Sequence, residues 1–186
     1  MIVMAALACV REHGWEATSM QAVRERAGLS SGSLFHHFPT RADLAAAVVT
    51  AGIADHQAVL TQALGAAEGA EDGIRRAVVR HVHWIEDNPQ LARLLLLSPP
   101  DVLRRMLDEA ALDAKRGFAA AIGAWLSRHG WSGTPELAVV VALWIGPAHE
   151  YARGRLDSPT APTAPIAEAL ADGAWRAVRP HLRGDR

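Results

Sequence analysis

Apolar residues recur three and four positions apart along almost the whole chain, and nowhere do they alternate with polar ones long enough to make a strand. The pattern therefore predicts an all-α protein of about nine helices. Ile2, Ala5, Ala6, Cys9 and Val10 define a first helix that ends at Gly14. Thr18 stands three residues before Gln21, a capping-box spacing that starts a second helix through Met20, Val23 and Ala27. Gly28, free to take a left-handed conformation, stops that helix, and Ser30 caps a third with Leu34 and Phe38 on one face and Ser33, His36 and His37 off it. Thr40 and Asp43 form another capping box, opening a fourth helix through Leu44, Val48, Ala51, Ala54 and Ala58 toward Leu64.

Beyond this point the small, acidic segment from Gly65 to Gly73 reads as a loop. Ile74, Ala77, Val78, His81, Val82 and Ile85 then form the stripe of a fifth helix, and Asn88-Pro89 supplies a cap and first-turn proline for a short sixth through Leu91, Leu94 and Leu95. Ser98 caps a seventh, continuous from Leu103 through Leu107, Ala110, Ala114, Phe118, Ile122 and Trp125 to about Gly130. An eighth opens at Thr134-Pro135-Glu136, is apolar on most faces from Leu137 to Ile145, and is expected to kink at Pro147. A low-complexity linker from Asp157 to Pro165 precedes a last helix carrying Ile166, Leu170, Ala174, Trp175 and Val178.

The second and third helices, set across a Gly28 turn with a polar outer face on the third, make a helix-turn-helix. Together with Ile2-Val-Met-Ala-Ala-Leu, Gly14-Trp15-Glu-Ala-Thr-Ser-Met, Ala27-Gly28-Leu-Ser-Ser-Gly-Ser-Leu-Phe-His-His-Phe38 and Arg41-Ala-Asp-Leu, they resemble the DNA-binding half of the TetR/AcrR family of bacterial transcriptional regulators. The resemblance covers roughly the first fifty residues. It implies a three-helix DNA-binding domain at 1–45 and a helical effector-binding and dimerisation domain at 46–186. Ser33 and His36 match the family's major-groove positions, and Thr18, Ser19, His37 and Arg41 match its phosphate-contacting ones. Ser30, Ser31 and Gly32 open the recognition helix and belong to the same implied interface. Ser31 replaces the usual lysine, and Phe35 replaces the usual tyrosine, exchanging a phosphate-reaching hydroxyl for a ring that could meet a thymine methyl. Arg24 has two readings, its guanidinium reaching either solvent or phosphate over the neighbouring helix. The polar or basic arm that usually precedes the family's first helix is not in this sequence, which suggests a short natural start or a missing N-terminus.

Charge changes this picture. The 186 residues carry a formal net charge of −1. In the first fifty, Arg11, Arg24, Arg26 and Arg41 balance Glu12, Glu16, Glu25 and Asp43. DNA affinity must then come from the local placement of arginines, amides and helix N-termini rather than from a basic field. The lone Cys9 suits a reducing cytoplasm and excludes an internal disulfide. The apolar run at 137–148 is too short for a bilayer and contains Pro147, so no membrane association is expected.

Candidate chemistry is sparse. Nine histidines invite a metal reading, but His36 and His37, like His81 and His83, sit at spacings that diverge on a helix. There is no nucleophile elbow and no phosphate-binding glycine loop, so neither an enzyme nor a cofactor is expected. The resemblance implies that helices four to seven enclose an effector pocket and that the last two helices pair across a homodimer. The apolar eighth helix supports the second point independently, since one chain would struggle to cover it. His81, Trp84, Phe118, Trp144, His149 and Tyr151 are the candidate pocket residues, aromatic or polar groups set within apolar stripes. Ordinary core or interface packing is the other reading of each.

The expected function is that of a cytoplasmic, ligand-responsive transcriptional regulator, a repressor by family-level inference, released from a palindromic double-stranded DNA operator by a small hydrophobic effector. The alternatives are a helical small-molecule-binding protein, or a dimeric interaction module, with a vestigial helix-turn-helix.

Overall fold

The structure, a computed structural model, describes residues 1–157 and 164–182. Among these, ten α-helices and a closing 3-10 turn are present and no strand forms, a single isolated bridge joining Trp131 to Leu182. The helices are α1 (Ile2–His13), α2 (Met20–Ala27), α3 (Ser31–His37), α4 (Arg41–Gly65), α5 (Ala70–Asp87), α6 (Pro89–Leu97), α7 (Pro100–Met106), α8 (Glu109–Arg128), α9 (Leu137–Asp157) and α10 (Ala164–Val178). Most of the low-complexity linker expected at 157–165 lies outside the described residues.

The chain forms two compact units, one of residues 1–55 and 88–113, the other of 56–87 and 114–186. In the first, α1 buries Ala5, Ala6, Leu7, Cys9 and Val10 while α2 contributes Val23, α3 Leu34, and α4 Leu44, Val48 and Val49. Leu91 of α6 closes over α4, its Cδ1 standing 3.0 Å from where a Cβ on Gly52 would be. In the second, α10 packs on α5 and α9 around a core that includes Ile74, Val78, Leu126, Val140, Trp144, Ala171 and Val178. Trp144 and Trp125 are tethered there by indole N–H donation to the carbonyls of Ile74 (2.9 Å) and Leu64 (3.3 Å). Arg75 of α5 reaches across to Asp172 and Glu168 of α10.

Four local expectations need correction. The seventh helix is two: Leu107 turns extended at ψ 125, and the Asp108 carboxylate accepts from the Ala111 amide at 2.8 Å, capping α8 afresh. The loop ends earlier than Gly73, which lies buried inside α5. The cap of α2 is Ser19, whose hydroxyl accepts from the Ala22 amide at 3.1 Å, not Thr18. The N-cap position before α7 is held by Pro99 rather than Ser98. α4 has the length and mean hydropathy (1.3) of a membrane span, but it buries Leu44, Val48, Val49, Leu60 and Leu64 in the protein's own cores.

Candidate nucleic-acid interface and effector site

The helix-turn-helix is built by caps. Gly28 takes φ 66, ψ 34, and its amide, with that of Leu29, returns to carbonyls in the last turn of α2. The Ser30 hydroxyl accepts from the Ser33 amide at 3.2 Å and starts α3. Leu34 is fully buried and Phe38 half-buried, so this side of α3 holds the helix to the unit. Ser31, Gly32, Phe35, His36 and His37 are exposed, Phe35 at 50%. His36 and His37 meet edge to face at 5.4 Å. Ser33 is half-buried, and with His37 it edges a groove of about 350 Å³ that Met1, Ile2, Val3, Leu29 and Phe38 complete. The outward row is thus Gly32, Phe35 and His36 more than Ser33.

Each arginine of this region is engaged with the protein. Arg11 donates to Asp55 at 2.8 Å, and Arg26 pairs through both terminal nitrogens with Glu12. Arg24 donates to the Ser31 hydroxyl at 3.0 Å and lies 3.3 Å from Glu25. The Arg24 side chain thus reaches from α2 to the first turn of α3 while staying 31% exposed. Arg41 donates to the Trp15 carbonyl at 2.7 Å and lies over the Trp15 ring at 4.5 Å, so part of its guanidinium is committed to the loop between α1 and α2. The Thr40–Asp43 capping box closes in both directions, the Thr40 amide donating to the Asp43 carboxylate and the Asp43 amide to the Thr40 hydroxyl.

Thr18 is 3% exposed, and its hydroxyl donates to the Gly14 carbonyl at 2.7 Å. A hydroxyl placed there cannot also reach a phosphate, so its expected contact is withdrawn, while Ser19 stays exposed at the start of α2. Thr18→Val should cost about 1–2 kcal/mol of stability by leaving a buried carbonyl unpaired. Urea unfolding measures that loss, and the salt slope of DNA binding should stay unchanged; a shallower slope would restore Thr18 to the interface.

The pocket candidates divide. In the second unit, His81 and Trp84 of α5 and His149 of α9 come together with His56 of α4, a residue the sequence reading missed. His56 Nε2 lies 2.8 Å from His81 Nδ1, and the His81 and His149 rings stack 5.7 Å apart. Burial pushes the His81 imidazole down to about 3, with His56 and His149 adding to the effect, and burial likewise lowers His149. Trp144 instead belongs to the core beside Trp125, Phe118 packs on that core from its edge, and Tyr151 is half-buried. Among the described residues no group of three His, Cys, Asp or Glu side chains is placed to hold a metal ion. α10 buries Ala167, Ala171, Ala174, Trp175 and Val178 within its own unit. Among the described residues of the second unit, the exposed large apolar side chains are on α9, at Val139, Val141 and Leu143, 36–40% exposed.

Comparison with known proteins adds to this geometry. Residues 2–48 match the family model described as bacterial regulatory proteins, tetR family. No curated protein sequence matches. Among solved structures, the chain resembles a tetR-family transcriptional regulator from Streptomyces coelicolor, with 19% identity, TM-score 0.72, and coverage of 95% of this chain and 80% of that one. FadR from Bacillus subtilis, solved in complex with stearoyl-CoA, is 13% identical with TM-score 0.70, covering 93% and 95%. A TetR family regulator from Marinobacter aquaeolei is 18% identical with TM-score 0.63, covering 95% and 92%.

Proposed function

We propose that the chain is a TetR-family DNA-binding transcription regulator, a reading supported by the match of residues 2–48 to that family's model, and that it is a homodimeric repressor, released from a palindromic operator by a small hydrophobic effector. Residues 1–45 read DNA, and 46–186 bind the effector and dimerise. The observation that carries the reading is the capped α3, which turns Gly32, Phe35 and His36 outward while Leu34 anchors it from behind.

In this reading His36 and Phe35 meet base edges, the ring of Phe35 against a thymine methyl, while Ser19, Ser31 and His37 meet phosphates and set register. Ser30 and Gly32 bring the first turn of α3 close to the groove. Because Arg11, Arg24, Arg26 and Arg41 are already engaged within the protein, few phosphates are neutralised and the salt dependence is shallow. The exposed apolar residues of α9, with the outward side of α10, pair with their copies about a two-fold axis. Effector binding favours an arrangement in which the two recognition helices no longer fit successive major grooves. The cluster of His56, His81, Trp84 and His149 supports an effector site with a polar end, and the stearoyl-CoA bound by the FadR neighbour supports a ligand with an apolar part. The protein acts in the cytoplasm and catalyses nothing.

Selection of random duplex DNA by the purified chain, sequenced at two salt concentrations, tests this. The expected result is one enriched inverted repeat, with His36→Ala and Phe35→Ala each relaxing one position of the half-site at a cost of about 1–3 kcal/mol. Retention without an enriched motif at either salt would sink the operator-binding reading.

A further inference from the structure

The imidazole cluster of the second unit contains a buried ring nitrogen that no described residue pairs with. His81 is 1% exposed, and its Nε2 is buried with no hydrogen-bond partner among the described residues. Its other nitrogen faces His56 Nε2 at 2.8 Å, His149 covers one ring face at 10° between planes, and Trp84 lies against His56 at 4.8 Å. A buried polar atom left unpaired is costly, and natural structures rarely tolerate one without a reason.

The bond between the two histidines restricts what can pair with His81 Nε2. It holds one proton. If His56 donates, His81 carries its own proton on Nε2 and needs an acceptor; if His81 donates, Nε2 is a bare lone pair and needs a donor. A hydroxyl serves in both cases, because it donates and accepts. A carboxylate serves only the first and an ammonium only the second, and either ion would be desolvated beside a ring that is 1% exposed. The surroundings are flat and aromatic, suited to a ring.

We propose that His81, with His56, Trp84 and His149, forms the polar end of the effector site and takes the hydroxyl of a neutral aromatic compound of the phenol class, its ring lying against the indole and imidazole faces. This rests on the effector-binding reading above and names the chemistry of that site.

Three probes that share one ring separate the possibilities: phenol, toluene and benzoate, each titrated into the full chain and followed by tryptophan fluorescence and calorimetry. Phenol is expected to bind about tenfold more tightly than toluene, with benzoate no tighter than toluene. In His81→Phe, phenol should fall to the affinity of toluene while toluene is unchanged. Equal binding of phenol and toluene, a preference for benzoate, or a phenol preference that survives His81→Phe would each overturn the assignment. Should that variant fail to fold, ring-nitrogen NMR of the wild-type chain decides: the His81 Nε2 resonance moves with phenol and not with toluene, and an unmoved resonance overturns the proposal. DNA release, measured in parallel, separates the two levels. If phenol binds through His81 without releasing DNA, the cluster stands as a ligand site but falls as an effector site. If apolar compounds release DNA with no dependence on His81, the regulator reading stands and the phenol assignment falls.

Discussion

Valine in place of Gly73 lowers the stability of the second unit by about 3 kcal/mol, the upper end of the usual cost of overpacking a core. A Cβ on Gly73 would stand 2.3 Å from Trp125 Cζ2, 2.7 Å from Cη2 and 3.2 Å from the Ala67 Cβ. The indole has little freedom to retreat. Its N–H is donated to the Leu64 carbonyl, its ring lies 4.0 Å from that of His129 and 5.9 Å from that of Trp144, and the residue is 6% exposed. Valine brings two further methyl groups to the same contact, so either the indole leaves its rotamer or α5 shifts away from it. Gly117→Ala is the matched control: this glycine is exposed in α8 with nothing within 4 Å of its Cβ position, and alanine should stabilise by about 0.5–1 kcal/mol by restricting the unfolded chain. Urea unfolding followed by circular dichroism gives both values. A Gly73→Val midpoint equal to that of the parent would show that Trp125 can move aside.

Acidification is expected to destabilise the protein well above the range in which carboxylates titrate. His81 has its folded-state value pushed from 6.5 down to about 3 by burial, so the unfolded chain takes up a proton on this residue that the native chain refuses. Stability is therefore complete above pH 6.5 and falls as the pH drops toward 3, by up to about 1.4 kcal/mol per pH unit. The lowered value of His149 acts in the same direction. Glu12 and Asp72, held low by hydrogen bonds from Arg26 and Arg76, lose their contribution only as the pH falls below the ordinary values of 4.5 and 3.8 for such carboxyls, so the interval from pH 6.5 to 4.5 isolates the histidines. Unfolding free energy measured across that interval should decline by about 3 kcal/mol in the parent and much less in His81→Phe. Parallel pH profiles for the two proteins would rule His81 out as the group responsible.

Both results turn on residues whose sequence context misleads. Gly73 closes a small, acidic, glycine-containing run and looks like the end of a loop; only the approach of Trp125, distant in the chain, reveals why a side chain is excluded. His81 sits in the apolar stripe of α5 as the sequence pattern expects, but its pairing with His56 joins residues whose spacing carries no local signal. The break at Leu107–Asp108 was in principle legible, since an aspartate three residues before Ala111 is a cap, yet the apolar periodicity passes through it uninterrupted.

What the sequence determined by itself is what short-range physics controls. Capping residues, the left-handed glycine and the three-and-four spacing of apolar positions act within a turn or two of the chain, so Ser30, Gly28, Thr40 with Asp43, and the stripe of α5 behave as their local context dictates. What tertiary structure alone decided is which side chains are already spoken for. Arg24 and Arg41 look available for phosphate in the sequence, but partners from other elements hold them, and Thr18 is spent on a buried carbonyl. The same long-range packing brings His56, His81 and His149 together from three helices and leaves one ring nitrogen unpaired. Hydrogen-bond satisfaction and desolvation depend on every group within a few ångströms, and most of those groups are far away in sequence.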